Sequence, residues 1–275
     1  MKPLAAFDRE SAAGLLGILF DLDDTFLDEG RLTERAYAAL GRLAESGLRT
    51  IAVTGRPAGF GDVIARQWPV DGVITENGAI GFYRQERAVV RWQRAATASR
   101  GERRERLAQG FATLGKRFPW ARLSDDSYAR ESDLAVDIGE SCSVPAPDVA
   151  AYAAAARELG FRTFVSSVHL HLTLDAFDKA TGVVAFLGDL FGEDPTAARR
   201  RYAYIGDSAN DAPCFHAFAA SFGVANVAKS LHLLSVPPRY VAPSPRGEGF
   251  REIADTILAL RAWPLRTVGV PKTSC

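Results

Sequence analysis

GILFDLDDTFLD, residues 17–28, is the stretch whose reading decides the fold. An apolar run, Leu15–Phe20, leads straight into Asp21, Asp23, Asp24 and Thr25. A short apolar run ending in turn-prone polar residues predicts a strand buried inside a parallel sheet. Its carboxylates then lie just past the strand's carboxyl end, where open α/β sheets bind ligands. Acids crowded there repel one another, so the arrangement calls for a cation to hold them ionised. Taken alone, the stretch is equally compatible with a strand followed by an acidic surface turn.

Moving outward, Thr33 is placed to cap a helix whose apolar face carries Ala36, Tyr37, Leu40, Leu43 and Ala44, with Gly47 as its stop. Arg49–Val53 reads as a second buried strand ending in Thr54-Gly55-Arg56-Pro57. Strand, helix, strand over this length is a βαβ unit with parallel strands and a right-handed crossover. That geometry predicts Thr54 beside Asp21 at one sheet edge. A helix around Gly61–Trp68 follows, then a strand Gly72–Thr75, a turn at Glu76-Asn77-Gly78 and a hairpin, Ile80–Tyr83 with Ala88–Trp92.

There the pattern changes. Thr97–Arg117 is Arg-rich and helical in character, Leu134–Ile138 alternates like a strand with one exposed face, and Val149–Leu159 is an Ala-rich helix with Asp148 as its cap. Phe161–Ser166 and Leu170–Leu174 read as strands. Helices and strands without strict alternation predict a separate α+β domain over 84–172. Alternation returns with a helix Ala180–Phe191, a strand Arg201–Ile205, strands at Ser221–Val224 and Tyr240-Val241, and a helix Gly249–Trp263. Residues 1–13 read as irregular or weakly helical, and Pro264–Cys275 as a disordered tail. The expected fold class is α/β, a Rossmann-like and largely parallel sheet formed by 1–83 and 173–275, with an α+β cap inserted at 84–172.

Composition narrows the function classes. Lys+Arg and Asp+Glu both number 33, which argues against a general nucleic-acid or membrane-surface binder. The three cysteines, Cys142, Cys214 and Cys275, lack metal-ligand spacing and suit a reducing compartment. No apolar signal core precedes Leu15, and the Leu15–Phe20 run is too short to span a bilayer. The expected location is the cytoplasm.

A second acidic pair, Asp207 and Asp211, follows the predicted strand Arg201–Ile205, with Gly206 permitting a tight turn. Two carboxylate sites at strand ends of one sheet can share a hard cation, and Mg²⁺ suits oxygen ligands completed by water and phosphate. The same aspartates could instead be ordinary helix caps. At Thr54-Gly55 a hydroxyl and a backbone N–H can bind a phosphate oxygen, and Lys179 supplies a point positive charge. A helix cap and a solvated surface lysine are the plainer readings of Thr54 and Lys179.

FDLDDTFL, VTGRP, FDKATGV and GDSANDAP stand in the order and spacing of the four motifs of the haloacid dehalogenase superfamily, which this chain resembles over about 15–82 and 173–262. ITENGA after the third strand, with an insert between the second and third motifs, is similar to the Cof-type, class IIB branch, whose α/β cap covers the site and which includes sugar-phosphate phosphatases. The resemblance implies a small phosphorylated metabolite as substrate. It implies Asp21 as the nucleophile that forms an aspartyl-phosphate and Asp23 as general acid, then general base. It implies Mg²⁺ on Asp21, the backbone carbonyl of Asp23, Asp207 and, directly or through water, Asp211. Thr54, Gly55 and Lys179 would hold the phosphoryl group, and Asn210 would support the phosphate or Lys179.

Asp23 disfavours a dehalogenase, because a departing halide needs no proton. One helix between Thr25 and Thr54 leaves no room for the helical cap of a phosphonatase. Asp24 departs from the family pattern, where glycine is usual; it would either cap the turn or add negative charge near the metal. Pro213 is a second departure, tolerated in a helix's first turn. In the cap, Arg130, Glu131, Asp133 and Asp137 cluster around one predicted strand, and Ser166, Ser167 and His169 lie at its return to the core. Arg130 and His169 are candidate substrate contacts, as are Arg56 and Asn77, with Trp68 weaker. Solvated surface ion pairs explain Arg130 equally well, ordinary strand positions explain His169 and His171, and a glycine turn explains Glu76 and Asn77. The expected function is Mg²⁺-dependent hydrolysis of a small phosphate monoester. A phosphomutase using the same intermediate and a metal-binding regulatory module remain the alternatives.

Overall fold

A computed structural model describes residues 1–93, 99–166 and 168–262. In chain order the first elements are β1 (Lys2–Pro3), α1 (Arg9–Ala13), β2 (Gly17–Phe20), α2 (Glu34–Glu45), β3 (Arg49–Val53), α3 (Ala58–Gln67), β4 (Gly72–Thr75), β5 (Ile80–Gln85) and β6 (Ala88–Gln93). Next come α4 (Arg100–Arg117), β7 (Asp133–Asp137), α5 (Ala146–Glu158), β8 (Arg162–Val165) and β9 (His169–Thr173). The chain then runs through α6 (Lys179–Phe191), α7 (Pro195–Arg201), β10 (Tyr202–Gly206), α8 (Ala212–Ala217), β11 (Ala220–Gly223), α9 (Val227–Ser230), β12 (Tyr240–Val241) and α10 (Arg246–Ala262).

Nine strands form one sheet in the order β1-β12-β11-β10-β2-β3-β4-β5-β6. Every pairing from β1 to β4 is parallel, and β5 and β6 add as an antiparallel hairpin at the edge. The central strands β2, β4, β10 and β11 are buried along their whole length, as expected of a parallel sheet covered on both faces. Alternate residues serve opposite layers: Ile18 and Phe20 pack with α2, α3 and α10, while Leu19 packs with α6, α7 and α8. Register sets Ile205 against Phe20 and Phe20 against Ala52. Asp207, Asp21 and Thr54 therefore follow the carboxyl ends of three adjacent strands.

A second, antiparallel sheet of order β7-β9-β8 has its own core, with α4 and α5 laid against it through Leu107, Leu114, Phe118, Tyr152 and Ala156. These elements have the α+β character expected of the insert, but a start at residue 84 does not fit the sheet. Residue 84 falls inside the β5–β6 hairpin, and both strands pair into the nine-stranded sheet. Its predicted end at 172 falls within β9, which runs to Thr173. Amphipathic alternation identifies a strand without saying which sheet it joins.

Smaller corrections have equally local causes. Residues 2–3 form an edge strand against β12 instead of an irregular lead-in. β7 is buried on both faces except at Leu134: Val136 packs into the core it shares with α4 and α5, and Asp133 on the other face is taken up by Arg130 and His171. Pro145 rather than Asp148 precedes α5, and Asp148 lies in its first turn, where an acid complements the helix dipole. The helix expected from Gly249 begins at Arg246. Ser167, Trp263, Cys275, the predicted tail and the start of the helix predicted from Thr97 lie outside the described residues. Among the described residues no helix is long and apolar enough to cross a membrane.

Candidate active site

Asp21 leaves β2 with its N–H donating to Ile205 O at 2.9 Å, which fixes it beside β10. Its Oδ1 accepts from Lys179 Nζ at 2.7 Å, and the same ammonium donates to Asp211 Oδ1 at 2.6 Å. Lys179 begins α6 behind a capping box made by Asp178 and Thr181, and its side chain is wholly buried. A solvated surface lysine is thereby ruled out. Burial alone would lower its pKa, but Asp21 and Asp211 outweigh that and raise it, so it is a fixed cation.

Asp211 folds back over the turn that begins at Gly206. A Cβ at Gly206 would lie 2.5 Å from Asp211 Oδ2, so only glycine leaves room for the carboxylate. That Oδ2 accepts from Asp207 N at 2.9 Å and Ser208 N at 3.0 Å, while Oδ1 accepts from Lys179 and the Tyr204 hydroxyl. A carboxylate offers about four lone-pair sites, and these donors occupy them. Asp211 thus shapes the loop and orients Lys179. Asp207 is different: its oxygens each meet one donor, Thr25 Oγ1 at 3.0 Å and Asn226 Nδ2 at 2.7 Å. Acceptor capacity remains on Asp207 and Asp21.

One oxygen from each of Asp21, Asp207 and Asp211 lies within 4.8 Å of the others, all three residues being buried. Burial, then repulsion from Asp211 and Asp21, pushes the Asp207 carboxyl well above its ordinary range. Burial likewise raises Asp21 to about 8, with Lys179 opposing and Asp211 and Asp23 adding to the rise. Three buried carboxylates against one ammonium leave a deficit of positive charge. The donor set, all oxygen and partly unsaturated, fits a hard divalent cation.

Thr54 is fully buried after β3. Its N–H donates to Ile74 O and its Oγ1 accepts from Arg56 N at 3.1 Å, leaving the hydroxyl proton for a ligand. Arg56, expected against substrate, instead grips Asp23: Nε donates at 3.0 and 3.1 Å to its two oxygens and Nη2 at 2.6 Å to Oδ1. Asn210 Nδ2 donates to Asn77 Oδ1 at 3.2 Å, and Asn210 Oδ1 accepts from Ser208 Oγ, so Asn210 braces the turn opposite Gly55. Asn77 lies buried with its Nδ2 unpartnered. Asp24 takes a left-handed φ of 55° and pairs with Arg246 Nε at 3.0 Å. The left-handed turn and the Arg246 pair fit the turn-capping reading, while the Asp24 charge still adds, as the smallest contribution, to the rise of Asp207.

In the cap, Arg130 is only 2% exposed, and its guanidinium is taken up by Asp126, Asp133 and Gly55 O. The internal ion-pair reading is the one the structure shows. His169 Nε2 meets Glu140 at 2.8 Å, Glu131 pairs with Arg91, and Asp137 accepts from the N–H groups of Gly139, Glu140 and Ser141. Trp68 packs on Phe26 within the core. Asp21, Asp23, Gly55, Arg56, Ser166, His169, His171, Ser208 and Asn210 line one cleft between core and cap, with a cavity of about 20 Å³.

In the sequence, Tyr204 and Asn226 are not among the residues the motifs single out, Thr25 stands there without a role, and Glu76 has only a turn role. Asn226 follows β11 at the same sheet edge, and that position was a usable signal. Glu76 is buried and accepts from Ala58 N, Glu131 N, Ser132 N and the Ser132 hydroxyl, joining core to cap. Nothing local in the sequence marks that partnership.

The sequence model of haloacid dehalogenase-like hydrolases matches residues 18–98, so the resemblance carried by the motifs stands. No curated protein matches the sequence closely enough to count as a relative. The fold is similar to that of Thermoplasma acidophilum 0175, with 20% identity, a TM-score of 0.68, and coverage of 90% of this chain and 99% of that one. It is similar to the HAD subclass IIB sugar phosphatase BT4131 at 15% identity and a TM-score of 0.60, covering 87% and 97% of the two chains. The sucrose-phosphatase of Synechocystis sp. PCC6803 is similar at 15% identity and a TM-score of 0.59, covering 88% and 98%. At these identities the likeness is one of fold.

Proposed function

We propose that the chain hydrolyses a small phosphate monoester, a sugar phosphate or related metabolite, through an aspartyl-phosphate on Asp21. The observation that carries this reading is the buried junction of Asp21, Lys179 and Asp207 at adjoining strand ends, with the Thr54 hydroxyl on the neighbouring strand. Asp21 attacks phosphorus, and the departing alkoxide takes a proton from Asp23. Water then attacks the acyl phosphate, giving a proton back to Asp23, and phosphate leaves with Asp21 restored. Lys179 and the Thr54 hydroxyl hold the equatorial oxygens, where charge gathers in phosphoryl transfer. Mg²⁺ held by Asp21, Asp207 and the backbone carbonyl of Asp23 would supply further positive charge there.

A cavity of about 20 Å³ admits little more than a water molecule. The cap in this arrangement is therefore closed, and substrate entry requires it to lift. The division into a core and an inserted cap, with the cap drawing on residues 99–173, is part of this reading. So is a cytoplasmic location, which rests on the free thiols of Cys142 and Cys214.

The test is phosphate release from a panel of sugar phosphates and simple esters, with Mg²⁺, with EDTA, and with Asp21→Asn. Metal-dependent turnover that falls to background in the variant is expected. Full activity in Asp21→Asn would overturn the mechanism. Interconversion of sugar-phosphate isomers with little free phosphate would instead favour the mutase.

A further inference from the structure

We propose that His171, a residue of cap strand β9, is a specificity-determining contact whose Nε2 accepts a hydrogen bond from a hydroxyl of the ester's leaving group. The inference rests on the phosphatase reading above and adds an atom that recognises the part of the substrate beyond phosphorus.

His171 is 1% exposed, and its Nδ1 lies 2.8 Å from Asp133 Oδ2. Asp133 is itself gripped by Arg130 Nη1 at 3.1 Å, so the ring is held from behind by a buried chain of charges. Its other edge is turned toward the catalytic loop. A methyl built on Gly55 would lie 3.2 Å from His171 Nε2, and His171 lines the same cleft as Asp21 and Asp23. Glycine at this position lets the imidazole reach down beside Thr54. Among the described residues Nε2 has no hydrogen-bond partner.

The chemistry of that nitrogen follows from its neighbours. Burial opposes ionisation of Asp133, but Arg130 and then His171 overcome it and hold the carboxyl below its usual range. An ionised Asp133 only accepts, so Nδ1 carries the proton. Burial lowers the His171 pKa against the pull of Asp133, and the ring is neutral near pH 7. Nε2 then offers a lone pair. It suits an O–H and repels a phosphoryl oxygen, so its partner is a hydroxyl on the leaving group. Arg130 and His169, the other cap side chains near the cleft, are engaged: Arg130 with Asp126, Asp133 and Gly55 O, and His169 with Glu140.

The experiment compares wild type, His171→Asn and His171→Phe on glucose 6-phosphate, glycerol 3-phosphate and phenyl phosphate with Mg²⁺. Asn can keep a donor toward Asp133 while removing the Nε2 edge, and Phe keeps a planar ring, somewhat larger than the imidazole, with neither nitrogen. Wild type is expected to favour the hydroxylated esters. In both variants kcat/KM for these should fall about 10- to 100-fold, the loss expected when a buried hydrogen bond to substrate goes unmade. Phenyl phosphate has no hydroxyl for Nε2, so its loss should be smaller by that factor, and circular dichroism with a thermal melt shows that the variants fold. Equal losses on all three esters, no loss on any, or a wild type indifferent to hydroxyls would overturn the assignment while hydrolysis stood. No turnover of any ester by wild type would remove the hydrolase reading and this inference with it.

Discussion

Asp211 holds Lys179 at 2.6 Å, and the hydrogen bonds from Lys179, Tyr204, Asp207 N and Ser208 N occupy its carboxylate oxygens. Among the described residues the carboxylate of Asp207, four residues earlier, meets only Thr25 and Asn226. Two aspartates of one loop are therefore expected to fail differently. Asp207→Asn should raise the Mg²⁺ concentration for half-maximal activity at least about 10-fold, because it removes an acceptor with room for a cation. Asp211→Asn should leave that concentration nearly unchanged but destabilise by about 3–5 kcal/mol, the cost of breaking a buried ion pair. Mg²⁺ titrations and thermal melts of both variants check this. A larger Mg²⁺ shift in Asp211→Asn than in Asp207→Asn would make Asp211 a direct ligand.

Asp21 also predicts how metal removal and pH combine. Its folded-state pKa is raised from 3.8 to about 8, chiefly by burial. A carboxyl raised in the folded state binds more protons there than in the unfolded chain. Its contribution to stability is thus complete below about pH 4 and lost as pH rises through about 8. In EDTA the melting temperature should fall across that window. Mg²⁺ at about 100 times Kd should restore about 2.7 kcal/mol at neutral pH, several degrees for a chain of this size. Calorimetry in buffers of different ionisation enthalpy should show proton release on Mg²⁺ binding below about pH 8. Binding without proton release would mean the carboxyls are already ionised without metal.

What the sequence made legible follows a physical division. Arg49–Val53 and Gly72–Thr75 were read with the bounds the structure shows, since a buried parallel strand is an apolar run ended by polar turn residues. Asp21, Thr54 and Asp207 were legible for the same reason, each following the end of such a strand, whereas Lys179 opens a helix and joins them only in the fold. Partnerships across the fold were not. Arg56 announces a charge but not that Asp23, 33 residues away, takes the Nε–Nη2 edge of its guanidinium. Glu76 lies in a turn signal, yet its carboxylate is buried against Glu131 N and Ser132 N, over fifty residues on. The β5–β6 hairpin shows the same division, because its period named two strands and not their sheet.

Glu76 yields a prediction about the join between core and cap. Its two oxygens face four donors, three of them backbone N–H groups from Ala58, Glu131 and Ser132. Glu76→Gln turns one acceptor into a donor against them. A buried donor left facing donors costs about 1–3 kcal/mol, so the melting temperature should drop by several degrees. Because Glu131 and Ser132 belong to the cap, the variant should also be cut faster by protease in the segments joining cap and core. Limited proteolysis beside a thermal melt checks both. Unchanged cleavage with a lowered melting temperature would confine Glu76 to stabilising the core.

Asp24 stands where the family pattern has glycine, and its φ of 55° explains why that pattern exists. Left-handed backbone suits glycine best and aspartate better than most other residues. Aspartate is compensated here by Arg246 Nε at 3.0 Å, while Asn226 Nδ2 holds its backbone oxygen at 2.9 Å. Asp24→Gly removes the conformational cost together with an ion pair whose side chains are about a quarter exposed, worth about 1 kcal/mol. Stability should therefore change by less than about 1 kcal/mol. Asp24→Val keeps the cost, loses the pair and adds a branched Cβ at positive φ, for about 1–3 kcal/mol of destabilisation. Neither substitution touches Asp21 or Asp207, so the Mg²⁺ dependence of phosphate release should match wild type in Asp24→Gly. A shift in that dependence would place the Asp24 charge in the metal's field and overturn its assignment to the turn.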